Sequence, residues 1–362
     1  MKKSTAKNEK VYIGFDISQK KIAVYAVCGD ATSKTEVTIA NDRNEISRFL
    51  SQFDDPRKVC VVMETGTHSL WMSRFIESLG FEVVVAHARA LRLIYAADKK
   101  NDALDARHLA ELAQLNRNLL HPVKPIDEER QRDLVAVKAR DLLIRQRTGI
   151  INTIRGHLRA LGLSDKALTV DNIASGATDL PDAVKPLLSP LFQQLHYLAL
   201  GIREYDRQIR QLCKKYPETK LLRQVTGVGE ITALTFALLV GNPQHYSSGK
   251  RVSSLFGLVP RQDQSGEVDK QLGITKSGNP LMRKLLIQAA NYILGNFGSD
   301  CDLKTFGQRI AARGGKIAQR KSKVAVARKL VTVLYALWKN PEIPYDPHFK
   351  ATRKNYNRIQ SA

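Results

Sequence analysis

Acidic side chains are scarce in this chain: Asp and Glu total 35 against 57 Lys and Arg, leaving a formal charge of +22 at pH 7. An excess of that size needs a counter-charge, and a phosphate backbone is the usual one. Long apolar runs are lacking too. None approaches the roughly 18–20 residues needed to cross a bilayer, so no membrane partner is expected. The opening Met1-Lys2-Lys3-Ser4 leads into polar residues, so no signal peptide is expected either. Cysteine is sparse. Cys28, Cys60, Cys213 and Cys301 form no CxxC pair and have no histidine at ligand spacing, which argues against zinc and against a disulfide framework. The expectation is a reduced, soluble, cytoplasmic protein. Hydrophobic residues at 43% and charged residues at 25% exclude wholesale disorder.

What is present begins with alternating strands and helices. Val11–Ser18, Lys21–Cys28 and Thr35–Ala40 read as strands joined by short turns, which predicts an antiparallel meander. A helix fits Glu45–Phe53. An almost purely apolar strand, Val59–Met63, then ends at Glu64, followed by a helix over Ser69–Leu79 and a buried strand over Glu82–Ala86. That order is found in ribonuclease-H-like domains, though fold alone does not give function.

The middle is helical. Leu188, Leu191, Leu195, Leu198, Ile202, Tyr205, Ile209, Leu212 and Tyr216 alternate steps of three and four, the seam of a coiled coil. Val137, Ile144, Ile151 and Leu158 recur every seven residues in a long helix upstream. Ser164–Pro186 between them reads as a loop. Two arrangements satisfy this seam: a hairpin packing on itself, or pairing between chains. The second is favoured, because a lone hairpin leaves helix faces in want of a partner. Residues 223–362 hold 22 basic and 8 acidic side chains, most of the excess. The spans predict an α/β ribonuclease-H-like domain (9–126), a coiled-coil helical region (127–220), a mainly α-helical basic domain (221–340) and a loosely ordered polar tail (341–362).

Four acids carry the chemistry. Asp16 sits in a strand whose neighbours Val11, Ile13, Phe15 and Ile17 are apolar, a costly position unless it binds something. Glu64 ends a central strand where a sheet opens into a cleft. Asp102 and Asp105, three apart, share one helix face. Like charges brought together repel and raise each other's pKa. A hard divalent cation removes that penalty, and Mg²⁺ prefers carboxylate oxygens. Four carboxylates can hold two ions, one for the attacking and one for the leaving oxygen. The alternatives are plainer: Asp102 and Asp105 as acids at a helix N-terminus, and Glu64 in a rim salt bridge.

In the basic domain, Thr226-Gly227-Val228-Gly229 between two helices resembles a helix–hairpin–helix. Gly227 and Gly229 would free backbone N–H groups for a phosphate; a turn that touches nothing is the alternative. Farther on stand Gly257-Leu258-Val259-Pro260-Arg261, then Gln264-Ser265-Gly266, Lys270, and the loop Gly273–Asn279 with Lys276. Pro280 opens a helix carrying Arg283 and Lys284. Arg261, Lys270, Lys276, Arg283 and Lys284 are the candidate nucleic-acid contacts.

The pieces Gly14-Phe15-Asp16-Ile17-Ser18, Met63-Glu64-Thr65 and Asp102-Ala103-Leu104-Asp105-Ala106 resemble the DEDD motif of transposases of the insertion-sequence-110 family. The block from Gly257 through the Pro280 helix resembles the second domain of that family. The resemblance implies a RuvC-like N-terminal domain and metal binding by Asp16, Glu64, Asp102 and Asp105, with Mg²⁺ the expected ion and Mn²⁺ an alternative. It implies Ser265 as nucleophile. This sequence departs from the pattern beside that serine, where Gln264 and Glu267 stand in place of a serine and a glycine. The family also implies strand cleavage and rejoining on target and donor DNA, a structured guide RNA from the element, and a homo-oligomer (dimer or tetramer) combining groups from different protomers. A hydrolytic RuvC-like nuclease and a non-catalytic nucleic-acid scaffold are the rival readings.

Overall fold

The computed structural model describes residues 10–28, 34–87, 101–123, 125–163, 180–265 and 268–348; the side chains of residues 262–271 lie outside that description. The chain divides into two compact units, Met1–Glu128 and Glu129–Ala362. No helix among the described residues is long and apolar enough to cross a membrane.

The first unit begins with β1 (Val11–Ile17), β2 (Lys21–Val27) and β3 (Lys34–Ala40), each antiparallel to the next. Next come α1 (Arg43–Leu50), β4 (Val59–Glu64), α2 (Ser69–Ser78), β5 (Glu82–Ala86) and α3 (Asp102–Leu115). The sheet order is β3-β2-β1-β4-β5, with β4 parallel to both β1 and β5. Strand β4 is apolar at every position before Glu64 because both its faces are covered, as parallel central strands require. Val59, Val61 and Met63 join Ile13, Phe15, Ile46, Leu50, Met72 and Ile76 in one core. Cys60 and Val62 pack instead beneath Leu109, Leu112 and Ala113 of α3. Edge strand β3 is mostly exposed and carries Lys34 and Glu36, charges that discourage pairing with another sheet edge.

Local chemistry sets the helix ends. Helix α1 starts two residues before the expected Glu45 because Asp42 caps it, its Oδ1 accepting from the N–H groups of Asn44 (2.9 Å) and Glu45 (3.0 Å). It stops at Leu50, and Phe53 lies beyond in a turn, its ring 5.8 Å from that of Phe49. Leu115 is 78% exposed at the end of α3.

The second unit is mostly helical. Helices α4 (Glu128–Ala160) and α5 (Lys185–Lys215) form an antiparallel hairpin within one chain. Lys215 meets Asp133 and Arg140 meets Asp206, each at 2.5 Å, near one end. Ile151, Ile154 and Leu158 bury Leu188, Phe192 and Leu195 toward the other. The heptad seam therefore closes against α4, with Leu188, Leu195, Leu198, Ile202, Ile209 and Tyr216 buried. Most of the expected Ser164–Pro186 loop lies outside the described residues, and its end, from Lys185, is already helix.

Helix α6 (Glu218–Leu222) then turns into α7 (Glu230–Val240), whose Phe236 and Ala237 pack with α8 (Gly249–Leu255), α9 (Pro280–Leu294) and α11 (Gly315–Lys339) and whose Leu234 and Leu238 pack with the base of the α4–α5 hairpin, with α10 (Asp302–Ala311) completing the set. Fully buried Phe236 and Leu238 on α7 each contribute roughly 1.5–3 kcal/mol of transfer free energy. Between α8 and α9 lies an antiparallel ribbon of β6 (Pro260–Ser265) and β7 (Val268–Ile274). Sequence pattern predicts no strands here, since Pro260-Arg261-Gln262-Asp263-Gln264-Ser265 lacks apolar alternation. Past Pro341 the chain is held where a loose tail was expected: the Asp302 N–H donates to the Pro347 carbonyl (2.9 Å), and Tyr345 packs on the core. Residues 349–362 of that tail lie outside the described residues.

Candidate active site

Parallel pairing of β1 with β4 puts Phe15 opposite Met63, so Asp16 and Glu64 follow side by side as the two strands end. Neighbouring strands run about 4.8 Å apart. Both acids also point to the same face. Side chains alternate along a strand, and Tyr12 on β1 with Cys60 and Val62 on β4 belong to the core beneath α3. Asp16 and Glu64 continue those two series. They line one pocket of ≈ 580 Å³ together with Ile17, Gln19 and the loop Thr65–Ser69.

Helix α3 is brought to the same end of the sheet by Gly14. A Cβ on Gly14 would stand 1.8 Å from the carbonyl oxygen of Ala106, so only glycine lets the helix lie this close to β1. Asp102 is one turn before Ala106 on the sheet-facing stripe, and Asp105 leads Leu109 and Leu112 along its edge. Asp102 Oδ2 lies 3.8 Å from Lys21 Nζ, at the turn where β1 hands over to β2. The capping role belongs to neither acid. Asn101 caps α3, its Oδ1 accepting from the Ala103 N–H at 3.1 Å. First-turn acids still gain from the helix dipole.

The structure thus places two acids in one pocket and two on the helix above the same sheet end. Among the described residues, no three His, Cys, Asp or Glu side chains are gathered closely enough to hold a metal ion. The pocket nevertheless suits magnesium. That ion keeps several waters and is commonly held by one or two carboxylates plus substrate phosphate oxygens, not by an all-protein cage. Asp16 and Glu64 supply such a pair.

The pocket loop was not singled out in the sequence. Ser69, buried, closes it: its Oγ accepts from the Gly66 N–H (3.1 Å) and donates to the Gly66 carbonyl (2.9 Å). His68 Nδ1 accepts from Trp71 Nε1 at 3.2 Å, which in a neutral ring leaves the proton on Nε2. Arg43 stacks over Trp71, 5.9 Å from its ring centroid, and steadies that partner. The available signal was a polar, glycine-bearing loop directly after a parallel strand, the place where open α/β sheets bind ligands.

The second unit holds the other candidates. Ser265 is the last residue of β6, paired in register with Val268 of β7; its side chain, like that of Lys270, lies outside the described part. Gly227 has φ +84°, and a Cβ there would sit 2.9 Å from the Ala289 carbonyl oxygen. The turn is thus pressed against α9. Gly229 stands exposed at the N-cap of α7. Arg261 and Lys276 are exposed. Arg283 and Lys284, also expected as nucleic-acid contacts, have internal partners: Arg283 Nη1 donates to the Phe256 carbonyl (2.9 Å) and Lys284 Nζ to Asp141 Oδ1 (2.7 Å).

Residues 13–162 match a family model described as a transposase, of the DEDD type of insertion sequence IS110, and residues 219–301 match one described as a transposase of the IS116/IS110/IS902 family. The chain is similar to the transposase for insertion sequence element IS1111A of Coxiella burnetii, 29% identical over 90% of this chain and 88% of the relative. It is similar to the transposase for insertion sequence element IS1328 of Yersinia enterocolitica, 27% identical over 85% of this chain and 87% of that one. A pilin gene-inverting protein of Moraxella lacunata is 31% identical over 38% of this chain and 43% of its own length.

Proposed function

The chain belongs to the IS110 family of transposases, enzymes that recombine DNA, and from that premise we propose that it breaks and rejoins DNA strands on a ribonuclease-H-like acidic site, with Ser265 as nucleophile. The observation that carries the reading is the side-by-side placement of Asp16 and Glu64 in one pocket at the ends of parallel strands. Asp16 and Glu64 would supply the carboxylate oxygens that Mg²⁺ takes, with Asp102 and Asp105 on the helix above the same sheet end as further oxygen donors, and Mn²⁺ would suit them too. A bound ion supplies charge neutralisation at the scissile phosphate.

The chain's own groups do the rest. Lys21 offsets the charge of Asp102 as the acids approach a polyanion. His68, its Nδ1 committed to Trp71, offers an Nε2 proton as a donor to a phosphate oxygen beside the acids. Ser265 Oγ gives up its proton and attacks phosphorus; a phosphoester bond forms as the bond to the departing deoxyribose oxygen breaks, and that oxygen takes up a proton in exchange. The phosphoserine link conserves the bond energy, so rejoining is the same exchange in reverse and needs no ATP. A structured RNA of the element chooses the sites by base pairing, and a homo-oligomer brings acids and serine together; both follow from the family resemblance.

Replacing Asp16 by Asn in the full chain tests the reading. DNA binding should persist while cleavage falls about 10²–10³-fold, the scale for removing one preorganised charged partner. Unchanged strand exchange by the Asn variant would remove the acidic site from the mechanism. The hydrolytic reading is separated by Ser265→Ala: a nuclease using water would keep cutting, whereas the proposed enzyme would not.

A further inference from the structure

Helix α11 has two dissimilar halves. Its second half is core, with Val326, Leu330, Val331 and Leu334 fully buried. Its first half projects, and from Gly315 to Lys323 only Ala318 and Ser322 are buried. Between Leu303 and Pro341 the sequence has no Asp or Glu. Arg309 and Arg313 at the end of α10, with Lys316, Arg320, Lys321 and Lys323 on α11, are all exposed. Among the described residues none of these six forms an ion pair. An unneutralised cation cluster of this kind, on rigid helices, repels itself and calls for a polyanion.

We propose that this α10–α11 face grips the phosphate backbone of double-stranded DNA through charge. The spacing fits. Lys316, Arg320 and Lys323 follow at i, i+4 and i+7 on one side of α11, about 10 Å of helix axis at about 1.5 Å per residue. Successive cations are about 5 Å apart on average, a little wider than the one charge per about 3.4 Å of a single DNA strand, so each can take a phosphate of its own. A projecting helix end also suits the wide major groove of B-form DNA, whereas the major groove of A-form RNA is too narrow and deep to admit it. The grip is independent of the acidic pocket, so it stands or falls separately from the cleavage chemistry.

The test measures binding of full-length protein to a short DNA duplex of arbitrary sequence across a salt series. Lys316→Gln, Arg320→Gln and Lys323→Gln together should flatten the slope of log affinity against log salt by about 2.7, at about 0.9 per phosphate contact. Arg320→Gln alone should flatten it by about 0.9. A control set with the same charge change on the exposed side of α5, Arg203→Gln, Arg210→Gln and Lys214→Gln, should leave the slope as in wild type. An unchanged slope in the α11 variants, or an equal loss in the control, would overturn the proposal. So would an equal loss on an A-form RNA duplex, which would make RNA the partner of this face.

Discussion

Gly14 shows how one missing atom can position a site. Its hydrogen faces the Ala106 carbonyl oxygen, where a Cβ would stand at 1.8 Å, and Ala106 is one turn from Asp102. Gly14→Ala should push α3 off β1 and cost roughly 1–3 kcal/mol, the range for overpacking a filled core. Thermal unfolding should show the loss, and cleavage should fall further than stability alone explains, because Asp102 and Asp105 move with the helix. Unaltered unfolding would mean that α3 does not lie on β1 as described. Asp16 was legible as a lone charge in an apolar strand, and Glu64 as the polar stop of a buried one. Asp102 and Asp105 were legible as a pair, but an acid at a helix start looks alike whether it caps or binds; Asn101 resolved the capping question only in three dimensions. The internal partners of Arg283 and Lys284 were not legible, because nothing local betrays them. Lys284 meets Asp141, 143 residues away.

At the scale of elements, the α4–α5 hairpin shows both the reach and the limit of periodicity. The three-four alternation marked most of the buried stripe of α5, though Phe192 is buried beside a half-buried Leu191 and Tyr205 and Leu212 are half-buried, yet a heptad seam is the same whether its partner is α4 or a second chain. Leu195 is buried between α4 and α5, and Leu195→Ala should destabilise the second unit by about 2–5 kcal/mol, read as a lowered denaturation midpoint. A polar latch closes the hairpin base: Tyr216 and Lys215 both hold Asp133 Oδ2. Burial opposes the charge, but the hydrogen bonds from Lys215 and Tyr216 win and keep the Asp133 carboxyl below its usual range. A carboxylate favoured in the folded state adds stability above its unfolded pKa of about 3.9, and that stability is lost as pH falls through the lower folded value. Asp133→Asn should therefore unfold at a lower temperature than wild type near neutral pH. The gap should close as pH falls below about 4, and a gap constant with pH would refute the latch. The β6–β7 ribbon, by contrast, was invisible. Its strands carry no apolar alternation, and what ties the ribbon's base is backbone, the Thr275 N–H donating to the Val259 carbonyl (2.9 Å) and the Lys276 N–H to the Gly257 carbonyl (3.1 Å).

Over the whole molecule, charge and chemistry divide between the two units. The first carries the acidic pocket on a mixed sheet; the second carries Ser265 and most of the positive charge. Composition alone revealed the polyanionic partner, because a net +22 must be balanced by a molecule that carries many negative charges. The class of reaction needed the spacing of acids and serine across both family blocks. The most direct test incubates the protein with Mg²⁺, both DNA partners and the element's RNA, then denatures the mixture and looks for DNA covalently attached to protein. The account predicts an adduct on wild-type protein that maps to Ser265 and disappears in both Ser265→Ala and Asp16→Asn. Cleaved DNA with free ends and no adduct, at a rate untouched by Ser265→Ala, would contradict it.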